Sequence, residues 1–81
     1  MDAEILSGFV EEAESYLPAI LDGVFAYAQN PERLDELKNS QRLTHTIKGA
    51  AQMVGLPEAS EIAAGISSEL TAFIKSAQPL A

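Results

Sequence analysis

The chain contains one histidine, so any imidazole chemistry belongs to His45. It sits in Thr44-His45-Thr46-Ile47-Lys48-Gly49-Ala50-Ala51. On a helix, residues three and four apart share a face. Lys48 and Gly49 then flank His45 one turn away, and Gln52 falls on the same side. A neutral imidazole nitrogen is a nucleophile near neutral pH, because the ordinary pKa of the side chain is about 6.5. Attack on a phosphoryl group gives a labile P–N bond, which suits a relay better than a store. The charge placed on the ring could be met by the Lys48 ammonium. Gly49 costs a helix interior roughly 1 kcal/mol relative to alanine, but it leaves room for another protein to come close. A lone helical His with a nearby Lys is more often plain surface than a site. The case rests on the His, Lys and Gly together, backed by an Ala-rich opposite side.

These residues need a helix to position them. With His45 as the origin, Leu43, Ile47, Ala50 and Val54 gather on the far side, with Ala51 beside them. This segment runs from about Glu32 to Val54. Asn30 and Pro31 suit its cap and first position. Leu34 and Leu37 lie off the stripe, which predicts a bend over Glu32–Asn39. An earlier segment, from about Asp2 to Ala28, carries Leu6, Val10, Ala13, Leu17, Ile20, Val24 and Ala28 at helical spacing. Pro18 interrupts it and predicts a kink, or two helices meeting near Tyr16–Pro18. Gly55-Leu56-Pro57 reads as a stop and restart. A third segment, from about Pro57 to Ser76, buries Ala59, Ile62, Ala63, Ile66, Leu70, Phe73 and Ala77, and Gln78-Pro79 ends it. The links are short, so neighbours should pack antiparallel.

Bulk properties narrow the function. Eighty-one residues suit one small domain. Without cysteine there is no disulfide framework and no Cys-ligated zinc site. The net charge of −7 disfavours nucleic acid and anionic membrane as partners. It is uneven, because Met1–Glu32 holds acids and no base, whereas Arg33, Lys38, Arg42 and Lys48 follow closely. No apolar run approaches the roughly 20 residues of a membrane span. The acidic start is unlike a signal peptide, and the expected location is cytoplasmic. One His and scattered Glu58, Glu61 and Glu69 make no ligand set, so a metal site or hydrolytic centre is not expected.

His45-Thr46-Ile47-Lys48-Gly49-Ala50-Ala51 followed by Gly55-Leu56 resembles the phosphoacceptor signature of histidine-containing phosphotransfer (HPt) domains, as in hybrid or chemotaxis-type histidine kinases. Phe9-Val10-Glu11-Glu12-Ala13-Glu14 is similar to the family's first-helix pattern, and Asn30-Pro31-Glu32 to the break before its histidine helix. The resemblance covers most of the chain, from about Phe9 to Leu70. It implies an all-α, antiparallel up-down four-helix bundle, with the last helix absent here or supplied by a partner chain. Residues 1–81 would be one HPt domain, a fragment of a larger signalling protein.

The resemblance also implies a role for each site residue. His45 is the phosphoacceptor, Lys48 faces the phosphate, and Gly49, Gln52 and Thr44 form the receiver docking surface. Chemotaxis kinases of this kind place a Glu on the next helix against the imidazole; Ser67 occupies that position here, with Glu69 two residues on. The implied function is a phosphorelay intermediate in two-component signalling. It is a carrier without its own catalytic centre or cofactor, and Mg²⁺ belongs to the partner. The implied partners are a response-regulator receiver domain and a histidine kinase catalytic domain, with a homodimer completing the bundle as an option. The competing class is a purely structural helical module that docks a partner helix through Leu70, Phe73 or Ile74.

Overall fold

A computed structural model describes residues 3–77. They form three helices: α1 (Ala3–Gln29), α2 (Leu34–Met53) and α3 (Pro57–Ala77). The expected start at Asp2 and stop at Gln78-Pro79 lie outside the described residues. α2 is the central element. It packs against α1 and against α3, while no Cα of α1 comes within 8 Å of one of α3 among the described residues. The three described helices form an open, all-α bundle, in keeping with the expected family.

Pro18 neither ends α1 nor divides it. The helix is continuous for 27 residues with Pro18 inside it. Proline lacks the N–H that would bond the carbonyl four residues earlier. Here Pro18 and Glu14 both lie on the exposed side, where solvent can take the place of that donor. α2 begins two residues later than expected, because Asn30 organises a turn before it. The Asn30 side-chain oxygen accepts from the Glu32 N–H at 3.0 Å, and its carbonyl accepts from the Arg33 N–H at 2.9 Å. Asn30 therefore caps the turn, and Arg33 precedes α2 with no side-chain cap of its own.

The α2–α3 link follows the expected stop. Gly55 has φ +77°. The Leu56 N–H reaches the Ala51 carbonyl at 2.9 Å, and the Gly55 N–H reaches Gln52 at 3.2 Å. This pairing satisfies the last helical carbonyls and needs a left-handed residue at its centre.

Of the segment Glu32–Asn39, residues 32–33 precede α2 and the rest belongs to a continuous helix with a wide buried face. Leu37 is buried because α2 must cover two neighbours, not one. The α1–α2 contact is close. Ser40 is fully buried, and its hydroxyl donates to the Ile20 carbonyl across the interface at 2.8 Å. A Cβ at Gly23 would strike the Ser40 hydroxyl and stand 2.6 Å from the Glu36 carbonyl oxygen. Only glycine lets the two backbones meet there.

Candidate functional site

His45 lies near the middle of α2 and is exposed. Lys48, half-buried, stands one turn C-terminal on the same side. Its backbone carbonyl accepts from the Ser60 hydroxyl at 3.3 Å, which ties this turn to α3. Gly49 is half-buried, and nothing lies within 4 Å of the place its Cβ would occupy. The surface beside His45 is therefore open. Gln52 is exposed on the same face, two turns from His45.

Two assigned residues are placed otherwise. Thr44 is only 2% exposed, and its hydroxyl donates to the Ser40 carbonyl at 2.8 Å. It does not belong to a docking surface. Neighbouring helical residues point about 100° apart, and α1 and α3 enclose the side on which Thr44 falls. Ser67 is engaged on the seam between α2 and α3. It is 7% exposed, and its hydroxyl accepts from the Gln41 side-chain amide at 3.2 Å. Gln41 lies one turn before His45, so Ser67 ties the α2–α3 seam one turn from the site.

Two further residues share the His45 face and were missed by the sequence reading. Arg42 lies three residues before His45 and Lys38 seven before; both are exposed. Arg42 donates to the Asn39 side-chain oxygen at 2.6 Å. With Lys48, they place three of the chain's five basic residues on the histidine face of a chain with net charge −7. The spacing 38–42–45–48 was the available signal. This electropositive stripe favours approach of an anionic group or an acidic partner surface.

Among the described residues, no three His, Cys, Asp or Glu side chains cluster so as to hold a metal ion. No helix among them is long and apolar enough to cross a membrane. The arrangement is one exposed nucleophile, a cationic surround and a bare patch of backbone.

A family model described as "Hpt domain" matches residues 4–80. No curated protein and no solved structure matched the chain.

Proposed function

The chain belongs to the Hpt domain family, whose role is phosphotransfer in two-component signalling, and from that premise we propose that His45 is the phosphoacceptor of a phosphorelay. The observation that carries this reading is the exposed His45 with Lys48 one turn on and open space over Gly49.

The lone pair of one imidazole nitrogen attacks the phosphorus of a phosphorylated donor. A P–N bond forms as the P–O bond to the donor breaks, and the departing oxygen keeps the electron pair. The donor is the nucleoside triphosphate held by a histidine kinase catalytic domain, which departs as the diphosphate, or a receiver aspartyl phosphate, which departs as the carboxylate. Passing the group on reverses these steps: a receiver carboxylate attacks, the P–N bond breaks, and its electrons return to the imidazole. Lys48, with Arg42 beside the ring, faces the phosphoryl oxygens and offsets their charge. Gly49 admits the partner's active-site loops to the distance that in-line transfer requires. The divalent metal and its carboxylate ligands are the partner's contribution, and this domain acts as a carrier.

The test is transfer of labelled phosphate between this chain and a panel of receiver domains, with His45→Gln as control. Rapid transfer that depends on His45 is the expected result. A well-folded chain that exchanges phosphate with no receiver and no kinase would overturn the reading.

A further inference from the structure

The imidazole of His45 has an unequal set of neighbours. Long side chains on a helix lean back toward its N-terminus, over the residues three and four earlier. The ring therefore leans toward Gln41 and Arg42, and away from Lys48 and Gly49. Arg42 carries donors only, and one of them is held by the Asn39 side-chain oxygen at 2.6 Å. Lys48 likewise has no acceptor, and Gly49 has no side chain. Of the four residues one turn from the ring, only Gln41 has a side-chain acceptor.

α3 does not supply one at the level of the ring. The Gln41–Ser67 and Lys48–Ser60 hydrogen bonds fix the register of α2 against α3. They bring His45 level with Ala63 and Ala64, whose methyl groups accept nothing. Ser60 and Ser67, one turn to either side of Ala63, are both buried. Their hydroxyls are engaged by the Lys48 carbonyl and the Gln41 amide.

Gln41 itself is half-buried, with one amide N–H committed to Ser67. An amide also has a second N–H and a carbonyl oxygen, and these have no partner among the described residues. No buried side-chain atom among those residues lacks a partner, so the Gln41 oxygen reaches solvent at the edge of the seam. Gln41 stands about 40° around α2 from His45, which puts that edge beside the ring.

We propose that Gln41 is the positioning residue for His45. Pinned by Ser67, its carbonyl oxygen accepts the N–H of Nδ1, the ring nitrogen nearer the backbone, and leaves the lone pair of Nε2 facing the partner. Residues four apart on a helix have Cβ atoms about 5–6 Å from one another, within reach of two side chains this long. The structure shows the amide pinned and the bond to the ring not yet made, and such contacts commonly close only when substrate is bound. The bond made by one ring nitrogen decides which nitrogen carries the proton. Fixing it presents the nucleophile in one tautomer and one rotation. A neutral amide does this without adding charge, whereas a carboxylate in its place would repel the incoming phosphoryl oxygens and oppose Lys48 and Arg42. The effect on transfer rests on His45 as phosphoacceptor; the orientation of the ring can be measured without it.

The experiment has two readouts on the 81-residue chain. Long-range proton–nitrogen NMR spectra, taken with the ring neutral, give the tautomer of His45, the single histidine. Labelling by phosphoramidate gives reactivity without a partner protein. Nε2 attacks phosphorus, the protonated P–N bond of the donor breaks, ammonia departs with its electron pair, and Nδ1 keeps its proton. Wild type should show mainly the Nδ1–H form. Gln41→Leu should revert toward the Nε2–H form that free histidine favours, and label about fivefold more slowly, the equivalent of one ordinary hydrogen bond. Ser67→Ala should move both readouts in the same direction. Gln41→Glu, which retains an acceptor, should keep the wild-type tautomer. Circular dichroism checks folding, and Ser67→Ala carries the test if Gln41→Leu does not fold. A wild type in the Nε2–H form, or one tautomer ratio shared by wild type and both variants, would overturn the proposal. Labelling that survives His45→Gln would instead remove His45 as phosphoacceptor and leave the tautomer result to decide the role of Gln41.

Discussion

Gly49 offers a perturbation in which stability and function should move in opposite directions. A glycine inside a helix is less favourable than alanine by roughly 1 kcal/mol, because it forgoes more backbone freedom on folding. At Gly49 nothing lies within 4 Å of an added Cβ, so no steric penalty opposes that gain. Gly49→Ala should therefore stabilise the chain by up to about 1 kcal/mol. For a domain of this size that is roughly 4–8 °C in Tm. Gly8 and Gly65 are also helical with open space around them. Gly8→Ala and Gly65→Ala should show a similar gain and serve as controls away from His45.

Transfer should respond differently. Gly49→Leu keeps the helix-propensity gain but puts four carbons on the surface beside His45. Forcing such a group into a packed protein contact costs about 1–3 kcal/mol, which corresponds to roughly 5–150-fold in transfer rate. The assay is single-turnover loss of phosphate from His45 to a receiver, paired with thermal denaturation of each variant. The expected order of transfer is wild type, then Gly49→Ala, then Gly49→Leu, with both controls at the wild-type rate. A destabilised Gly49→Ala would refute the reading of open space. A Gly49→Leu variant that transfers at the wild-type rate would show that no partner approaches this turn.

Further perturbations separate the residues around His45. Lys48→Ala should slow transfer about tenfold, the equivalent of one lost charge-assisted contact of about 1.4 kcal/mol, with Lys48→Arg recovering most of it; an unchanged rate would remove Lys48 from the site. Thr44→Val should leave transfer unchanged and alter stability by no more than about 1 kcal/mol, since it deletes one buried hydrogen bond to the Ser40 carbonyl. Slow transfer in that variant would restore Thr44 to the docking surface. Gly23→Ala should destabilise by about 1–3 kcal/mol in chemical denaturation, because its Cβ would meet the Glu36 backbone 2.6 Å away. A gain like that of Gly65→Ala would mean that the α1–α2 spacing is looser than described.

What was legible in the sequence was local. His45, Lys48, Gly49 and Gln52 share a face because of spacing along one helix, and no neighbour is needed to see it. Gly55 could be recognised as a helix stop because its φ of +77° belongs to a conformation that other residues avoid. What was not legible depended on which sides of α2 the other helices take. Thr44 looks like a neighbour of His45 in sequence, yet it is buried. Leu37 looks off-stripe, yet it is buried. Ser67 can be aligned to an imidazole-contacting position, but its hydroxyl is engaged by Gln41, 26 residues away. Such pairings follow from the packing of α3, which no residue of α2 announces. Pro18 failed as a breaker for a similar reason, since its tolerance depends on its lying on the exposed side of α1.

The central position of α2 accounts for the composition that made it hard to read. A helix touching one neighbour needs one apolar stripe, and its periodicity is plain. α2 touches two, so its buried arc is wide and cannot be made entirely of large side chains without driving the helices apart. The arc instead includes Ser40, Thr44 and Ala51, all buried. Their small size allows the close approach seen at Gly23. Both buried hydroxyls donate to backbone carbonyls, Ser40 to Ile20 and Thr44 to Ser40, which removes the cost of enclosing them. The polar look of α2 in sequence thus belongs partly to its core and only partly to its functional face. What remains exposed is a polar strip that holds Lys38, Arg42, His45 and Gln52, with Gly49 half-buried beside it. Because the strip lies on the central helix of the chain, the imidazole is held by a helix packed on two sides while its ring stays in solvent. That combination is what a carrier needs if it is to present one atom to two different partners.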